Sequence, residues 1–307
     1  MSTPAEHQTN PNIPSQSPYI GRFAPSPTGP LHFGSLVSAL ASYLDAKSHH
    51  GRWLVRIEDI DPPREEAGAA DTILRQLEQH GLCWDGEVLF QHTRSEAYRD
   101  ILQQLQQREL LYPCTCSRQI LAESGGIHPA PCRKSAEIPR QPFALRLRVE
   151  SPSTIVFDDL FQRQQRQNIS HEVGDFVLLR KDGLFAYQLA VVADEAAQQI
   201  THVIRGADLL ESTPRQIYLQ QLLGFETPEY GHIPVAVDRQ GEKLSKQNLA
   251  PSLDEAGVAE NLVRALLWLG LPVPELLRGE TPPVILAWAI PRWDRELLVG
   301  QIEKPAC

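Results

Sequence analysis

Along the first third of the chain, apolar runs typical of strands alternate with apolar positions at the spacing of helices. The segment 19–23 predicts a short buried strand, and 53–57 predicts a second one. Between them, leucines four residues apart predict a helix over 34–48, and a further helix is predicted over 64–80. Strand and helix alternating at this spacing are typical of βαβ units, so the pattern predicts an α/β fold with a parallel sheet.

The rest of the chain carries similar signals in a less regular order. An Asp-Gly turn between two apolar runs predicts a hairpin over 176–187. Thr213 is expected to cap a helix, and beyond residue 251 the apolar spacing favours helices. Further strands are predicted over 143–149, 203–205 and 232–237.

Composition and charge narrow the class of protein. The chain has 307 residues, of which 42% are hydrophobic and 22% charged, as in ordinary globular proteins. Its formal charge of -9 argues against coating nucleic acid by bulk attraction, but residues 91–190 hold thirteen basic and eleven acidic residues. A local basic face for RNA therefore stays open. No apolar run is long enough to span a membrane, and five cysteines in this length favour a reducing compartment, so we expect a cytoplasmic protein.

The most informative segment joins the first predicted strand to the first predicted helix. It reads R-F-A-P-S-P-T-G from Arg22, and His32, Gly34 and Ser35 follow at the start of the helix. A helix N-terminus offers unpaired N–H groups and partial positive charge, and glycine lets the backbone approach a ligand closely. The segment is interpreted as a phosphate site, and the alternative is a proline-rich turn with a surface histidine.

A second segment, K-L-S-K-Q, follows the last predicted strand and contains Lys243 and Lys246. Two lysines on a loop can neutralise phosphate charge, although alone such a pair is more often a solvated loop. Together the two segments resemble the HIGH and KMSKS signatures of class I aminoacyl-tRNA synthetases, in the form of their glutamyl and glutaminyl branch. Ser35 stands where His is commoner, and Gln247 replaces the final Ser.

This resemblance implies a Rossmann-type class I catalytic domain that activates an amino acid with ATP and Mg²⁺. A carboxylate attacks the α-phosphate of ATP, and pyrophosphate leaves. The protein positions the reactants and stabilises charge. The expected ATP-binding and catalytic residues are His32, Gly34, Ser35, Lys243 and Lys246.

The glutamyl branch also implies a site for L-glutamate. Its expected residues are Arg22, Phe23, Ala24, Pro25, Ser26, Glu58, Tyr187 and Arg205. Two arginines and one acid suit a substrate with two carboxylates and one amine. Glu58 is expected to hold the ammonium group. Arg205 ends a buried strand, where a charge needs a partner such as a ligand carboxylate.

Four residues in the irregular segment 112–142 predict a metal site. Cys114, Cys116, His128 and Cys132 have the spacing C-x-C-x₁₁-H-x₃-C. Three thiolates and one imidazole form a closed tetrahedral zinc site, whose binding energy can fold a segment with little apolar core. The alternative is three buried cysteines and a surface histidine.

The predicted organisation has five parts. They are a disordered tail (1–18), the first half of the nucleotide-binding fold (19–111), a zinc-binding and hairpin insertion (112–190), the second half with the K-L-S-K-Q loop (191–250) and a short helical C-terminal part (251–307). Only 60 residues follow Gln247, which is too few for the anticodon-binding domain of a full glutamyl-tRNA synthetase.

The resemblance is therefore to a shortened member of the glutamyl branch. It implies activation of L-glutamate without tRNA and transfer of the glutamyl group to queuosine at the wobble position of tRNA(Asp). Two alternatives stay open, namely a short enzyme that charges the 3′ end and an inactive RNA-binding paralogue. We expect a monomer with no membrane partner.

Overall fold

The structure is a computed structural model that describes residues 18–123, 128, 133, 138–238, 241–242, 253 and 257–306. The strands are β1 (Ile20–Phe23), β2 (Arg52–Ile57), β3 (Leu89–Phe90), β4 (Leu111–Cys114), β5 (Ala144–Leu147), β6 (Thr154–Asp159), β7 (Arg163–Asn168), β8 (Phe176–Leu179), β9 (His202–Gly206), β10 (Glu229–Ile233), β11 (Val235–Val237) and β12 (Glu303–Pro305). The α-helices are α1 (Phe33–Ser48), α2 (Ala69–Gln79), α3 (Ser95–Gln107), α4 (Arg118–Glu123), α5 (Ile169–Glu172), α6 (Tyr187–Ala197), α7 (Thr213–Leu223), α8 (Val258–Trp268) and α9 (Pro282–Ala289).

A parallel arrangement of five strands forms the centre of the molecule. β1 pairs with β2, β2 with β3 and β9 with β10, all in parallel. β9 lies beside β1, because the Thr201 amide donates to the Ile20 carbonyl (2.9 Å) and Arg22 reaches the Ile204 carbonyl (3.5 Å). The order β3-β2-β1-β9-β10 is the Rossmann order, which confirms the predicted fold class. In such sheets ligands bind beyond the carboxyl ends of the strands, near the reversal between β1 and β9.

Helix α1 forms because its leucines recur on one face, as predicted. Leu36, Leu40 and Leu44 are fully buried in a core that also contains Trp53 of β2. Burying each such side chain stabilises the fold by about 1.5–3 kcal/mol. A second apolar cluster lies around α3, α6 and α7. The two clusters cover the helix-bearing sides of the sheet and hold the strand ends in place.

The insertion between β3 and β9 is built from antiparallel strands. β4, β5 and β8 form one sheet, and β6 pairs with β7 in a separate ribbon. The predicted turn after β8 is confirmed, since Gly183 is left-handed (φ 84°) and the Arg180 amide donates to the Leu184 carbonyl (2.8 Å). The predicted second arm of the hairpin is wrong, because only Phe185 bridges back to β8 and Tyr187 begins α6. An apolar run of this length does not distinguish a strand from a buried helix.

Three other predictions differ in detail. Ser212, not Thr213, is the N-cap residue of α7, because the helix already begins at Thr213, and the Thr213 hydroxyl accepts a hydrogen bond from Arg205 (2.7 Å). Pro234 divides the strand predicted over 232–237 into β10 and β11, since proline has no amide donor for a ladder. The C-terminal part contains α8 and α9 as expected, but it also contributes β12, which pairs in parallel with β11.

Helix α2 is shorter than predicted. It begins at Ala69, because Pro62–Arg64 form a separate 3₁₀ turn and Gly68 adopts a left-handed conformation (φ 77°) just before the helix. Its predicted end at Gly81 is confirmed by that residue's left-handed φ of 71°. In the described parts of the chain, no helix combines the length and apolar character needed to cross a bilayer. The predicted tail lies outside the described residues, apart from residue 18.

Candidate active site

A cleft of about 610 Å³ opens where β1, β2 and β9 end. Every described residue of the two predicted substrate sites lines this cleft. These residues are Arg22, Phe23, Ala24, Pro25, Ser26, His32, Gly34, Ser35, Glu58, Tyr187 and Arg205. Lys243 and Lys246 lie outside the described residues. The parallel sheet therefore brings together segments that are up to 183 residues apart in sequence.

The start of α1 forms one end of the cleft. His32 is the N-cap residue, and its Nδ1 accepts a hydrogen bond from the Ser35 amide (3.3 Å). The His32 Nε2 atom lies 2.9 Å from the Ser35 hydroxyl, so the residue that departs from the signature contacts the histidine. The Leu31 amide donates to the buried Gln76 side chain (2.7 Å), which anchors the loop against α2. This geometry presents a helix N-terminus to the cleft, a common site for anions.

Arg205 is buried at the opposite side, in contact with neutral groups. Its Nη2 donates to Thr213 (2.7 Å) and Gln216 (2.8 Å), and its Nε donates to His232 Nε2 (3.0 Å). Burial lowers the pKa of His232 to about 4, so the imidazole is neutral and can accept this hydrogen bond. Within the described part of the chain, no carboxylate lies in ion-pair contact with Arg205. A ligand carboxylate would compensate this buried charge.

Asp159 orients the histidine behind Arg205. The His232 Nδ1 atom lies 2.5 Å from an Asp159 carboxylate oxygen, and both side chains are fully buried. The other Asp159 carboxylate oxygen accepts a hydrogen bond from the His232 backbone amide (3.1 Å). These contacts leave His232 Nε2 as the acceptor that faces Arg205. Sequence reasoning missed this pair, because Asp159 and His232 are 73 residues apart and neither stands in a recognised motif.

Arg22 lies at the end of β1 in a different electrostatic setting. Its Nε and Nη2 both donate to one Glu195 oxygen, at 3.3 and 3.0 Å. Both side chains are buried, so the Arg22 charge is already neutralised inside the protein. Sequence reasoning did not find Glu195, which comes from α6, 173 residues further along the chain. Arg205 is therefore the stronger carboxylate partner of the two arginines.

Glu58 follows β2 and faces the same cleft. Burial raises the pKa of Glu58, although Arg56 and Arg22 oppose this shift. Its carboxylate accepts a hydrogen bond from Arg56 (3.2 Å), and its amide donates to the Pro25 carbonyl (2.9 Å). A ligand ammonium beside Glu58 would favour the ionised carboxylate.

Tyr187 occupies the first turn of α6. Its hydroxyl lies 3.5 Å from Arg205 Nη1, and burial raises the pKa of the phenol, so it stays neutral and can donate a hydrogen bond. Because α6 also carries Glu195, a single helix contributes to the surroundings of both arginines.

Three of the four predicted metal ligands lie in the described part of the chain. The ligand atoms of Cys114, Cys116 and His128 all lie within 4.8 Å of one another, whereas Cys132 lies outside the described residues. His128 Nε2 is 3.0 Å from Cys114 Sγ, and the other ring nitrogen contacts the Tyr112 hydroxyl (3.0 Å). Tyr112 in turn donates to Asp175 (2.7 Å). Two sulfurs and an oriented imidazole converging at one point fit a zinc ion.

The pKa of the Cys114 thiol agrees with a ligand role. Burial raises this pKa, but hydrogen bonding to Cys116 and the neighbouring Arg146 guanidinium lower it more, so the net pKa is below its ordinary value. The thiolate is the form that binds metal. Lys181 donates to the Thr115 and Cys116 carbonyls (2.7 and 2.9 Å), which fixes the first two cysteines against the turn after β8.

These observations define a Rossmann-type domain whose cleft combines the N-terminus of a helix with a buried arginine that has no carboxylate partner among the described residues. Residues 20–275 match the catalytic domain of the class I tRNA synthetases of the E and Q type, and the chain belongs to this family. The family predicted from the two signature segments is thereby confirmed.

Relatives and solved structures agree with this assignment. The glutamyl-Q tRNA(Asp) synthetase of Dechloromonas aromatica is 54% identical over 293 residues, which cover 93% of this chain and 97% of the relative. The protein of the same name from Thiobacillus denitrificans is 52% identical, over 90% of this chain and 94% of the relative. The glutamate-tRNA synthetase of Elizabethkingia anophelis shares the fold, with a TM-score of 0.78 and 24% identity over 94% of this chain and 68% of that chain.

Proposed function

We propose that this chain activates L-glutamate with ATP in the absence of tRNA and transfers the glutamyl group to queuosine in tRNA(Asp). The names of relatives that are 50–54% identical over most of the chain support the acceptor. The structural observation that carries the glutamate part is Arg205, a buried cation whose partners are neutral, in one cleft with Glu58. The two groups complement a carboxylate and an ammonium.

Glutamate binding follows from this distribution of charge. Arg205 binds the carboxylate that does not react. Its Nε and Nη2 atoms already donate to His232, Thr213 and Gln216, so Nη1, which lies beside the Tyr187 hydroxyl, is the nitrogen that remains for the ligand. Glu58 pairs with the ammonium group. The reacting carboxylate is then directed toward the start of α1.

Activation is a displacement at phosphorus. An oxygen of the reacting carboxylate attacks the α-phosphorus of ATP, the bond to the bridging oxygen breaks, and pyrophosphate leaves with the electron pair. His32, Gly34 and Ser35 hold phosphate oxygens at the helix start, and Lys243 and Lys246 are proposed to neutralise the leaving group. Mg²⁺ accompanies ATP and reduces the phosphate charge.

One assay separates this proposal from its alternatives. We expect glutamate-dependent exchange of pyrophosphate into ATP without tRNA, and labelling of queuosine-containing tRNA(Asp) that survives removal of the 3′ adenosine. Label lost with that adenosine would indicate charging of the 3′ end. Absence of exchange would indicate an inactive paralogue. Equal labelling of queuosine-free tRNA(Asp) would contradict the proposed acceptor.

A structural zinc ion is proposed on Cys114, Cys116, His128 and Cys132. The convergence of three of these ligands supports the proposal. All four positions would be filled by protein, so the ion would stabilise the insertion rather than take part in catalysis. We expect Cys132→Ser to lower the bound zinc measured by atomic absorption, with Cys83→Ser, at an exposed cysteine, as the control. Stoichiometric zinc in Cys132→Ser would refute the assignment.

We also propose that the chain acts as a monomer in the cytoplasm. The five cysteines are better suited to a reducing compartment than to a disulfide scaffold. The five-part division of the chain stays a prediction. Sedimentation at micromolar concentration tests the monomer.

A further inference from the structure

A second, smaller cavity of about 210 Å³ adjoins the cleft. Ser26, Thr28, Glu58, Arg64 and Tyr187 line both spaces, so the two are neighbours across a shared wall. The activation reaction derived above leaves this cavity without a role. Its own lining residues include Ile60, Asp61, Glu65, Gln91, Arg180 and Phe185.

Gln91 gives the cavity an unusual polar group. Its side chain is completely buried, and its Nε2 donates to an Asp194 carboxylate oxygen (2.9 Å). Asp194 also accepts hydrogen bonds from Tyr98 (2.6 Å) and Arg94 (3.0 Å), so the orientation of the Gln91 amide is fixed. The Gln91 Oε1 atom has no hydrogen-bond partner within the described part of the chain. Buried amide oxygens are rarely left unpaired, so a donor from a ligand or a water in the cavity is the expected partner.

The charges around the cavity are unbalanced. Asp61 forms ion pairs with Arg64 (2.6 Å) and with Arg180 (3.2 Å), so both arginines that line the cavity already have a carboxylate partner. Glu65 lines the same space, and its carboxylate accepts a hydrogen bond from the Asp61 amide (3.1 Å) but forms no ion pair within the described part of the chain. Burial, followed by the carboxylates of Asp59 and Asp61, raises the pKa of Glu65. The cavity therefore favours a ligand with a positive charge as well as a hydrogen-bond donor.

Apolar side chains supply the remaining wall. Ile60 is half-buried, and the ring of Phe185 packs edge-on against Tyr98 with the centroids 5.1 Å apart. Binding pockets for whole small ligands usually measure about 300–1,000 Å³. A cavity of about 210 Å³ suits one ring with its polar substituents rather than a complete nucleotide.

We propose that this second cavity binds the acceptor group, namely the dihydroxylated ring that queuosine carries on an aminomethyl arm. The proposal rests on the proposed function, since it names the place where that acceptor meets the activated glutamate. One hydroxyl donates to Gln91 Oε1, the ring packs on Ile60 and Phe185, and the protonated amine lies near Glu65.

The transfer step then joins the two spaces. The second hydroxyl oxygen attacks the carbonyl carbon of the glutamyl adenylate, a carbon–oxygen ester bond forms, and the bond from that carbon to the phosphate oxygen breaks. AMP leaves with the electron pair, and the hydroxyl proton passes to its phosphate. Gln91 binds and orients the acceptor and exchanges no proton.

Two variants test this cavity without touching the cleft. Ile60→Trp fills it, and Gln91→Met removes the unpaired oxygen while Tyr98 and Arg94 still hold Asp194. We expect both to retain glutamate-dependent pyrophosphate exchange. Ile60→Trp should abolish transfer to queuosine-containing tRNA(Asp), and Gln91→Met should slow it about tenfold, the loss of one hydrogen bond. Leu276→Trp, at a residue 76% exposed on the surface, is the matched control.

The outcomes separate this proposal from the proposed function. If the unmodified protein labels queuosine-containing tRNA(Asp) and both variants transfer equally well, the cavity is not the acceptor site, although the proposed function stands. If Ile60→Trp raises the KM for glutamate in the exchange assay, the cavity belongs to the glutamate site and the proposal is overturned. If the unmodified protein shows exchange without labelling, the proposed function itself fails, and the acceptor assignment fails with it. Retained exchange shows that each variant is folded.

Discussion

Arg22 and Arg205 occupy equivalent places at the ends of two neighbouring strands, yet they differ in their partners. Both guanidinium groups are buried. Arg22 is neutralised by Glu195 from α6, whereas Arg205 is held by Thr213, Gln216 and His232, which are neutral. A buried charge with an internal counter-ion is already compensated, and removing that counter-ion is costly, while a charge held only by neutral groups retains its attraction for a ligand carboxylate. We therefore expect Arg22 to act mainly as a structural arginine and Arg205 to act as the binding arginine.

Removing the binding arginine should have the largest effect on activity. Arg205→Ala is expected to cost about 2–5 kcal/mol of glutamate binding, which corresponds to a loss of roughly 30- to several thousand-fold in exchange kcat/KM. The thermal stability should change much less than the activity. Glutamate-dependent exchange and a melting curve measure the two effects. Unchanged exchange kinetics would remove Arg205 from the site.

Removing the counter-ion of the structural arginine should mainly affect stability. Glu195→Gln leaves Arg22 buried without a full opposite charge, and breaking a buried pair in this way costs about 3–5 kcal/mol. The free energy of unfolding in urea measures this loss. Glu229→Gln, at a carboxylate that is mostly exposed beside His202, is the control and should be nearly neutral. A stability loss in the control that equals the loss in Glu195→Gln would contradict the assignment.

The histidine behind Arg205 should make stability depend on pH. Its pKa is about 4 in the folded protein against an ordinary value of 6.5, so the unfolded chain binds the proton more readily. Stability from neutral His232 is therefore fully present above pH 6.5 and declines as the pH falls toward 4, by up to about 1.4 kcal/mol per pH unit. Below pH 4 both states are protonated and the decline from this group ends.

His232→Gln provides the comparison for that pH dependence. Glutamine can accept the Arg205 hydrogen bond but does not titrate. The difference in unfolding free energy between the His232→Gln variant and the unmodified protein should therefore shrink as the pH falls toward 4. Urea titrations at several pH values measure the difference. A difference that stays constant from pH 7 to 4 would show that His232 is not held neutral in the fold.

The smallest expected effect is that of the Tyr187 hydroxyl. Its contact with Arg205 Nη1 is long, at 3.5 Å, so Tyr187→Phe should raise the KM for glutamate by only about fivefold, the value of a weak neutral hydrogen bond. Exchange kinetics measure this change. A loss as large as that of Arg205→Ala would mean that the phenol, rather than the guanidinium, dominates recognition.

Local sequence signals and the family resemblance together identified many of the residues that line the cleft. The segment from Arg22 to Ser35 combines a strand, a stiff loop and a helix start, and these depend on neighbouring residues alone. Arg205 was identified through the resemblance to the glutamyl branch, and its place at the end of a buried strand supported that assignment. Tyr187 was placed correctly in the cleft but in the wrong element, since a short apolar run fits either a strand or a buried helix.

The sequence by itself determined the βαβ pattern through periodicity and the family through two short motifs, because both signals act over a few neighbouring positions. The resemblance to that family then supplied the predicted residues that line the cleft. Only the tertiary structure decided which arginine has a buried carboxylate partner and which one is held by neutral groups. That choice depends on Glu195, Asp159 and His232, which approach their partners across 173, 73 and 27 residues. Nothing local marks such contacts, and they arise only when the strands of the sheet lie side by side.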